Sequence, residues 1–275
     1  MTLFAKKFNF SVFFSLGLML VSCSQAPHKE LIFPKALEEV SGVTAVDSRE
    51  LALIEDEHGV IYIYNLDEEQ VTYEIEFAKD GDFEDVLYQE ETFWALRSDG
   101  TLFHIEYPFE EEPVVTEYAT PLSAKNDCEG LAYEPESNSL LIACKEKAAL
   151  KGEDKLKDHE KAIYRFSIDE EKLMEEPYLV YSVKAFNNFG PSALTVYCDY
   201  IAVLDSKESS VLIMDHQGNE EYYFQLDRKK FPQPEGITLR KGRFYITSEA
   251  GDELESGSLG TFKWRELTSN PLQKD

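Results

Sequence analysis

The feature that most constrains the fold is a short motif that occurs five times along the chain. Each copy joins a turn to an alternating apolar stretch, and the copies span Val40–Thr44, Phe83–Leu87, Cys128–Ala132, Pro191–Thr195 and Pro234–Thr238. The third residues of successive copies lie 43, 45, 63 and 43 positions apart. A repeat of roughly 40–50 residues made of short strands is typical of propeller blades. The sequence therefore predicts five structurally equivalent units.

Each motif is followed by further stretches with the alternation of a β-strand, separated by turn sequences such as Asp99-Gly100. The first four units contain material for four strands, whereas the fifth ends after three. A spare strand is available at the other end of the chain, in Lys29–Lys35. Pairing it with the last unit would close a ring and remove two exposed sheet edges. We therefore expect an all-β fold, a five-bladed β-propeller of four-stranded antiparallel blades, closed by an N-terminal strand in the last blade.

The long third spacing has a visible cause in the sequence. Lys147–Lys161 is an insert rich in Lys, Glu and Asp, with little apolar material. Such a stretch predicts an exposed loop, with a short helix as an option within it. A solvated loop is favoured, and a partner-binding role is the alternative.

The N-terminal segment has the pattern of an export signal. Lys6 and Lys7 precede an apolar run over Phe8–Val21, which is short for a membrane span and has the layout of a secretory signal. The run ends at the tetrapeptide Leu20–Cys23, which resembles the lipobox of bacterial lipoproteins. We expect residues 1–22 to be a lipoprotein signal peptide, 23–29 a lipidated tether and 30–275 a single propeller domain.

Acylation of Cys23 would anchor the chain to a membrane, since several acyl chains on one residue give stable attachment. The predicted location is the cell envelope, at the inner or the outer membrane, with the domain facing the periplasm. The alternative is a plain signal peptide followed by an incidental cysteine.

Three further cysteines remain if Cys23 carries lipid: Cys128, Cys144 and Cys198. Their neighbours are apolar, and buried free thiols are the expected state. A Cys128–Cys144 bridge within one blade is the alternative, because the envelope is oxidising. No CxxC motif or Cys/His cluster accompanies them, so the sequence does not predict a zinc site.

Acidic residues recur at the start of the predicted innermost strands. Glu84, Glu129 and Glu235 hold the same position in three motif copies, and Asp82 and Asp127 lie two residues upstream of the first two. Carboxylates that converge on a common axis repel one another unless a cation lies between them. Oxygen ligands with loose geometry favour calcium, so these five residues are the predicted metal ligands. The alternative is that they cap turns or accept hydrogen bonds from backbone amides.

A second ring of polar residues is expected at the ends of the second strands. Its members carry mixed charge: Glu55, Asp56, Arg97, Asp99, Lys145, Glu146, Asp205 and Glu249. Mixed charge around an acidic centre can hold a polar or anionic ligand bridged through calcium. The predicted ligand-binding residues are Arg97, Lys145, Glu146, Asp205 and Glu249. A self-satisfied salt-bridge network is the alternative.

Composition and motifs argue against two other classes of function. The chain has 53 Asp and Glu against 27 Lys and Arg, a net charge of −26, and such a surface repels nucleic-acid phosphates. The sequence contains no Gly-x-Ser-x-Gly elbow, no His-Glu-x-x-His and no Gly-rich phosphate loop. None of the five histidines has an evident nucleophile partner, so a Ser-His-Asp hydrolase is not predicted.

A set of segments between residues 38 and 251 also carries a family resemblance. The segments are Glu39–Val43, Gly81–Asp85, Leu96–Leu102, Asn126–Ala132, Leu141–Glu146, Pro191–Leu194 and Pro234–Thr238. Together they resemble the SdiA-regulated (YjiK/CarP-like) β-propeller family. The resemblance implies an envelope-associated propeller linked to calcium and to calcium homeostasis. Relatives have been compared with propeller phytases, which cleave phosphate esters using bridging calcium ions.

The expected function is therefore calcium binding by a membrane-anchored envelope propeller, in calcium homeostasis or sensing. The predicted partner at the central channel is a small anionic ligand or an envelope protein, and not a nucleic acid. The alternative is a calcium-dependent, phytase-like phosphoesterase or a related hydrolase. The sequence lacks a cluster of Lys and Arg suited to a highly phosphorylated substrate, which favours the non-enzymatic interpretation.

Overall fold

The computed structural model describes residues 26–146, 150, 156–186, 188–251, 255–268 and 272. Within these ranges the chain is almost entirely β, in five antiparallel sheets that follow one another along the sequence. The innermost strand of each sheet carries one motif copy. These strands are β2 (Val40–Ala45), β6 (Phe83–Gln89), β10 (Cys128–Glu134), β15 (Pro191–Tyr197) and β19 (Gln233–Arg240).

The next two strands of each sheet continue outward in sequence order. The second strands are β3 (Glu50–Glu55), β7 (Thr92–Arg97), β11 (Ser139–Cys144), β16 (Tyr200–Asp205) and β20 (Arg243–Glu249). The third strands are β4 (Val60–Asn65), β8 (Leu102–Glu106), β12 (Glu160–Ser167), β17 (Ser210–Asp215) and β21 (Ser258–Lys263).

The first four sheets end in an outermost strand from the same stretch of chain. These strands are β5 (Gln70–Glu76), β9 (Val114–Tyr118), β14 (Leu179–Ser182) and β18 (Glu220–Gln225). The third sheet also contains a two-residue strand, β13 (Lys172–Leu173), beside β12. A 3-10 helix over Lys35–Leu37 and a single helical turn, α1 (Trp264–Leu267), complete the described elements.

The last sheet takes its outermost strand from the other end of the chain. Strand β1 (Lys29–Ile32) pairs antiparallel with β21, so that Lys29 lies opposite Thr261. This pairing confirms the predicted closure by an N-terminal strand. The strand is shorter than the predicted Lys29–Lys35 because Pro34 has no N–H to donate and the 3-10 helix follows it directly.

The five sheets are the blades of a propeller, because their innermost strands contact one another in a closed cycle. Each of β2, β6, β10, β15 and β19 contacts the next, and β19 contacts β2 again. The hydrophobic core is divided into five clusters, and each lies between two neighbouring blades. Between the first two blades, for example, the rings of Phe77, Phe83 and Phe103 meet edge to face at 5.1 to 5.7 Å. Burial between blades therefore holds the ring together.

The third residue of the motif is small because the innermost strands approach closely. A Cβ atom on Gly42 would lie 2.7 Å from the Cα of Asp85 on the neighbouring strand. Asp85 is the exception among the five copies, and it is buried. Its carboxylate accepts hydrogen bonds from the backbone N–H groups of Leu131 at 2.7 Å, Val86 at 2.8 Å and Val43. One side chain thus links the first three blades.

Two sequence predictions need correction. Glu160 and Lys161, assigned to the charged insert, lie in β12; residues 147–149 and 151–155 of the insert lie outside the described residues. Cys198, expected to be buried, is exposed. It lies in the turn between β15 and β16 with φ 52°, and a tight hairpin turn points its side chains to solvent whatever the apolar character of the flanking strands.

The predicted signal peptide and Cys23 lie in residues 1–25, outside the described residues. In the part of the chain that the structure describes, no helix is both long and apolar enough to cross a membrane.

Candidate functional site

Each innermost strand begins with a β-bulge at the second residue of its motif. The bulged residues are Ser41, Glu84, Glu129, Ser192 and Glu235. A bulge adds an unpaired residue and re-aims its side chain. The cyclic contact of the innermost strands places all five bulges at the same end of the central channel. Three of the predicted metal ligands therefore come together at one mouth of the channel.

The second strands also contribute side chains to this mouth. In each blade the first motif residue pairs with a residue of the second strand, and the residue that follows this partner in the sequence reaches the mouth. In the third blade Cys128 lies opposite Cys144, so this residue is Lys145. The equivalent residues are Asp56 in the first blade and Glu249 in the last. We refer to Asp56, Glu84, Glu129, Lys145, Glu235 and Glu249 as the acidic mouth.

Lys145 forms an ion pair inside the acidic mouth. Its Nζ lies 2.9 Å from Oε1 of Glu129, and the two side chains are 21% and 7% exposed. Burial lowers the pKa of Lys145, but the carboxylates of Glu129 and Glu235 outweigh that cost and raise it. The ammonium group is thus charged, and it is the cation that partly neutralises the surrounding carboxylates.

The glutamates of the bulges are poorly ionised because they are desolvated and close together. Burial, followed by the charges of Glu129 and Asp82, raises the pKa of Glu84 to about 10. Burial and the charge of Glu129 raise the pKa of Glu235 to about 8. Burial also raises the pKa of Glu129, to about 7, with the neighbouring Lys145 acting in the opposite direction. The mouth therefore holds more carboxyl groups than one ammonium can compensate.

The remaining two carboxyl groups of the mouth also have raised pKa values. Burial and the charge of Asp56 raise the pKa of Glu249 to about 7. Burial and the charge of Glu39 raise the pKa of Asp56 to about 6. Oδ1 of Asp56 is also buried without a hydrogen-bond partner among the described residues. A buried carboxylate oxygen without a partner is what a cation or an ordered water would satisfy.

Asp82 and Asp127, the other predicted metal ligands, lie beside the mouth on the loops that lead into the innermost strands. Asp82 is exposed and its Oδ2 accepts a hydrogen bond from Ser98 Oγ at 2.5 Å. Asp127 has φ 54°, and its backbone oxygen accepts the N–H of Lys145 at 2.8 Å. Both act electrostatically on Glu129. They therefore contribute negative charge to the rim.

Three of the predicted ligand-binding residues make their contacts elsewhere. Arg97 pairs with Asp99 at 3.0 Å, and Asp205 accepts the backbone N–H of Gly190 at 2.9 Å. Both residues pair with the first motif residue of their blade, so each lies one position before the residue whose side chain reaches the mouth. Because side chains alternate along a strand, theirs point to the other face. Glu146 lies one position beyond Lys145 and is exposed. Of the five predicted residues, the structure brings Lys145 and Glu249 to the acidic mouth.

The compact ligand geometry of a preformed metal site occurs at a different position. Among the described residues, the group of three ligating side chains within 4.8 Å of one another is Glu55, Glu57 and His58. Glu55 accepts the backbone N–H groups of Glu57 at 3.1 Å and His58 at 2.7 Å, so the group arises from turn capping. The carboxylates of the acidic mouth are spread more widely. A single ion there would bind partly through water, or would draw the carboxylates inward.

The opposite mouth of the channel has a different lining. It is a cavity of about 390 Å³ formed by the other ends of the innermost strands. Its polar lining includes Thr44, Tyr88, Tyr133, Tyr197, Thr238 and Arg240. Its described lining contains no Asp or Glu, so the carboxyl groups of the channel are concentrated at one end.

No protein-family model and no curated protein matches the sequence. The resemblance to SdiA-regulated propellers therefore stays a prediction.

Solved structures match the fold. Glutaminyl cyclase from Myxococcus xanthus matches with a TM-score of 0.60 at 14% identity, covering 86% of this chain and 94% of that one. A luciferin-regenerating enzyme matches with a TM-score of 0.53 at 8% identity, over 86% and 95%. A Bacteroides thetaiotaomicron protein of unknown function matches with a TM-score of 0.50 at 15% identity, and this chain covers 52% of its length, with 76% of this chain matched. Identities this low show the fold alone, and the chain is a five-bladed β-propeller.

Proposed function

We propose that this protein is a lipid-anchored propeller of the bacterial cell envelope that binds calcium at the acidic mouth. The observation that supports the proposal is the convergence of carboxyl groups from four blades on one desolvated mouth, with Lys145 as their neutralising cation. Such a cluster costs folding free energy when its members ionise. A bound divalent cation would recover that cost, because it favours the ionised form of every carboxylate around it.

The donor chemistry favours calcium among the common divalent cations. The carboxyl groups of the mouth offer only oxygen donors, and they are spaced widely rather than held in a tight shell. Calcium takes about six to eight oxygens in flexible geometry and accepts water among them, whereas magnesium demands a near-ideal octahedron. The partnerless Oδ1 of Asp56 is a further donor of the required type. Glu84, Glu129, Glu235, Glu249 and Asp56 would hold the ion, with Asp82 and Asp127 at its rim.

The proposed location suits a weak site. Anchoring through Cys23 would expose the propeller to calcium concentrations far above those of the cytosol, and extracellular calcium modules work with Kd values of about 10⁻⁴–10⁻³ M. A bound ion with part of its coordination filled by water leaves room for an oxygen of a small anionic ligand or of a partner protein. Lys145 would add a second positive group beside it. We propose that this binding serves calcium sensing or calcium homeostasis.

The phosphoesterase alternative gains no specific support from the mouth. A phosphate ester with several charges needs several cationic groups around it. Of the two cationic residues predicted for ligand binding, Arg97 is paired with Asp99 instead and only Lys145 lies in the mouth. Binding is therefore the better-supported function.

Thermal unfolding of the full chain in chelator and in millimolar calcium tests the proposal. We expect calcium well above Kd to raise Tm by roughly 5–10 °C. The double variant Glu84→Gln/Glu235→Gln keeps the shape of the mouth and should lose most of that shift. Glu117→Gln is the control, because it makes the same type of substitution at an exposed site on β9.

Two results would contradict the proposal. One is a Tm that does not change between chelator and 10 mM calcium, a concentration of about ten times the weakest expected Kd. The other is a calcium-dependent shift that is equally large in the double variant and in the control, since that would locate the ion away from the acidic mouth.

A further inference from the structure

We infer that Cys128 and Cys144 form a disulfide bond across β10 and β11 when the chain folds in an oxidising compartment. The inference concerns a modification site and does not depend on cation binding at the acidic mouth.

The strand pairing places the two cysteines in the position that suits a cross-strand disulfide. Cys128 lies directly opposite Cys144. Lys145 N–H donates to Asp127 O at 2.8 Å, while Cys128 N–H donates to Ser98 O at 2.9 Å, so the two cysteines form a non-hydrogen-bonded pair. In such pairs the Cα atoms lie about 4.5 Å apart, inside the range of roughly 4.4–6.8 Å found for disulfides. The backbone therefore needs no rearrangement.

The side chains are already in contact. The two Sγ atoms lie 3.9 Å apart, and the residues are 0% and 1% exposed. They belong to the apolar cluster between the second and third blades, with Leu96, Leu102 and Leu131. A disulfide is compact and apolar, so this environment accepts it. The same burial keeps oxidants away from the folded protein, which means that the bond forms while the third blade is folding.

The chemistry requires a disulfide oxidant, such as oxidised glutathione or a thiol–disulfide oxidoreductase. The thiolate of one cysteine attacks the oxidant's disulfide, forms a mixed disulfide and releases one thiolate. The second cysteine then attacks the protein sulfur of the mixed disulfide and releases the other thiolate. The two cysteines are oxidised, the oxidant is reduced to two thiols, and the two cysteine protons pass to those thiols.

The bond would fix the backbone that carries the ion pair of the acidic mouth. Cys128 immediately precedes the bulged Glu129, and Cys144 immediately precedes Lys145. The disulfide therefore ties together the two strand ends from which this ion pair extends. It also closes a short loop in the unfolded chain, which destabilises the unfolded state relative to the folded one.

Refolding under defined redox conditions tests the inference directly. The full chain is unfolded in denaturant, refolded in mixtures of reduced and oxidised glutathione, alkylated, and mapped by mass spectrometry without reduction. We expect the linked Cys128–Cys144 peptide to predominate, with Cys198 alkylated as an internal reference. Alkylation of both Cys128 and Cys144 in excess oxidised glutathione would overturn the inference, as would linkage of either one to Cys198 instead.

A stability measurement gives an independent result. Protein refolded in reductant should melt roughly 5–10 °C below protein refolded under oxidising conditions, because its unfolded state lacks the cross-link. Cys198→Ala should show the full shift, whereas Cys128→Ala/Cys144→Ala should show none. A Tm that reductant leaves unchanged in the unsubstituted chain contradicts the inference. Since the protein is refolded in vitro, neither result depends on its cellular location or on calcium.

Discussion

The two mouths of the channel are built by the same five strands, yet their chemistry differs. At the acidic mouth each innermost strand has a bulge, and three bulged positions carry Glu84, Glu129 and Glu235. At the opposite mouth the pairing of these strands is regular, and Thr and Tyr side chains line the opening. The comparison indicates that the bulges, rather than the repeat as a whole, gather the glutamates at one end of the channel. Bulges are often found beside functional sites for this reason.

The same contrast predicts where the protein is sensitive to pH. The carboxyl groups of the acidic mouth have pKa values of about 6 to 10 because they are desolvated and repel one another. The opposite mouth has no Asp or Glu in its described lining, so it adds no comparable titration. Four substitutions or conditions test this division, beginning with the largest expected effect.

The largest effect is expected at Asp85, which directly follows a bulge and carries the one motif carboxylate held by three backbone N–H groups. Asp85→Ala should lower the free energy of unfolding by about 3–5 kcal/mol, because three buried donors lose their acceptor at once. Urea unfolding measures the change. The matched control is Glu84→Gln at the neighbouring position, which should have a much smaller effect at pH 5. A loss at Asp85 below about 1 kcal/mol would show that the three blades do not depend on this carboxylate.

An intermediate effect on Tm is expected when pH is varied in the presence of chelator, which removes any bound calcium. The folded-state pKa values of Glu129, Glu235 and Glu249 are about 7, 8 and 7, above the unfolded value of about 4.3. A carboxyl group with a raised pKa binds its proton more tightly in the folded state, so stability falls as pH rises from about 4.5 to about 8. Tm measured across this range should be highest at its acidic end, near pH 4.5.

The variant Glu84→Gln/Glu235→Gln sharpens that measurement. Two of the penalised groups no longer ionise, so the variant should melt roughly 3–8 °C above the unsubstituted protein at pH 8. Near pH 4.5 both residues are protonated in the folded protein and about half protonated in the unfolded chain, so the penalty is small and the two proteins should have nearly the same Tm. A variant that is equally stabilised at both pH values would assign the gain to packing instead of charge.

The smallest effect is expected at the opposite mouth. Arg240 is half-buried and donates from Nη1 to the backbone oxygen of Ala45 at 3.2 Å. Arg240→Gln should cost about 0.5–1 kcal/mol in urea unfolding and leave the calcium-dependent shift of Tm unchanged. A large loss of the calcium response in this variant would mean that the two mouths are coupled.

The fold could be predicted from the sequence because each blade repeats the same local requirement. The innermost strands pack so closely that Gly42 admits no Cβ, and this makes the motif visible in the sequence. The end of the last blade was less predictable. Its third strand ends at Lys263, and α1 begins at Trp264 directly after it. An apolar alternation does not reveal where a strand gives way to a helical turn.

The candidate site could be predicted only in part, and the reason is geometric. Glu84, Glu129 and Glu235 share a motif position, so their convergence follows from the repeat. Arg97 and Asp205 lie one residue before the positions that reach the mouth, and a shift of one along a strand moves the side chain to the other face. Lys145 and Glu249 each follow the residue that pairs with the first motif residue of their blade. That strand pairing is known only from the structure.

The pairing of β1 with β21 also determines the order in which the blades can fold. The hydroxyl of Ser256 donates to the backbone oxygen of Phe33 across a separation of 223 residues. Blades one to four can each form as soon as their own segment has been synthesised, whereas the fifth must wait for both termini. Contacts between residues so far apart in the sequence form slowly. During that delay the ring is open and two strand edges are exposed, so the final step of biogenesis is also the step most vulnerable to aggregation and proteolysis.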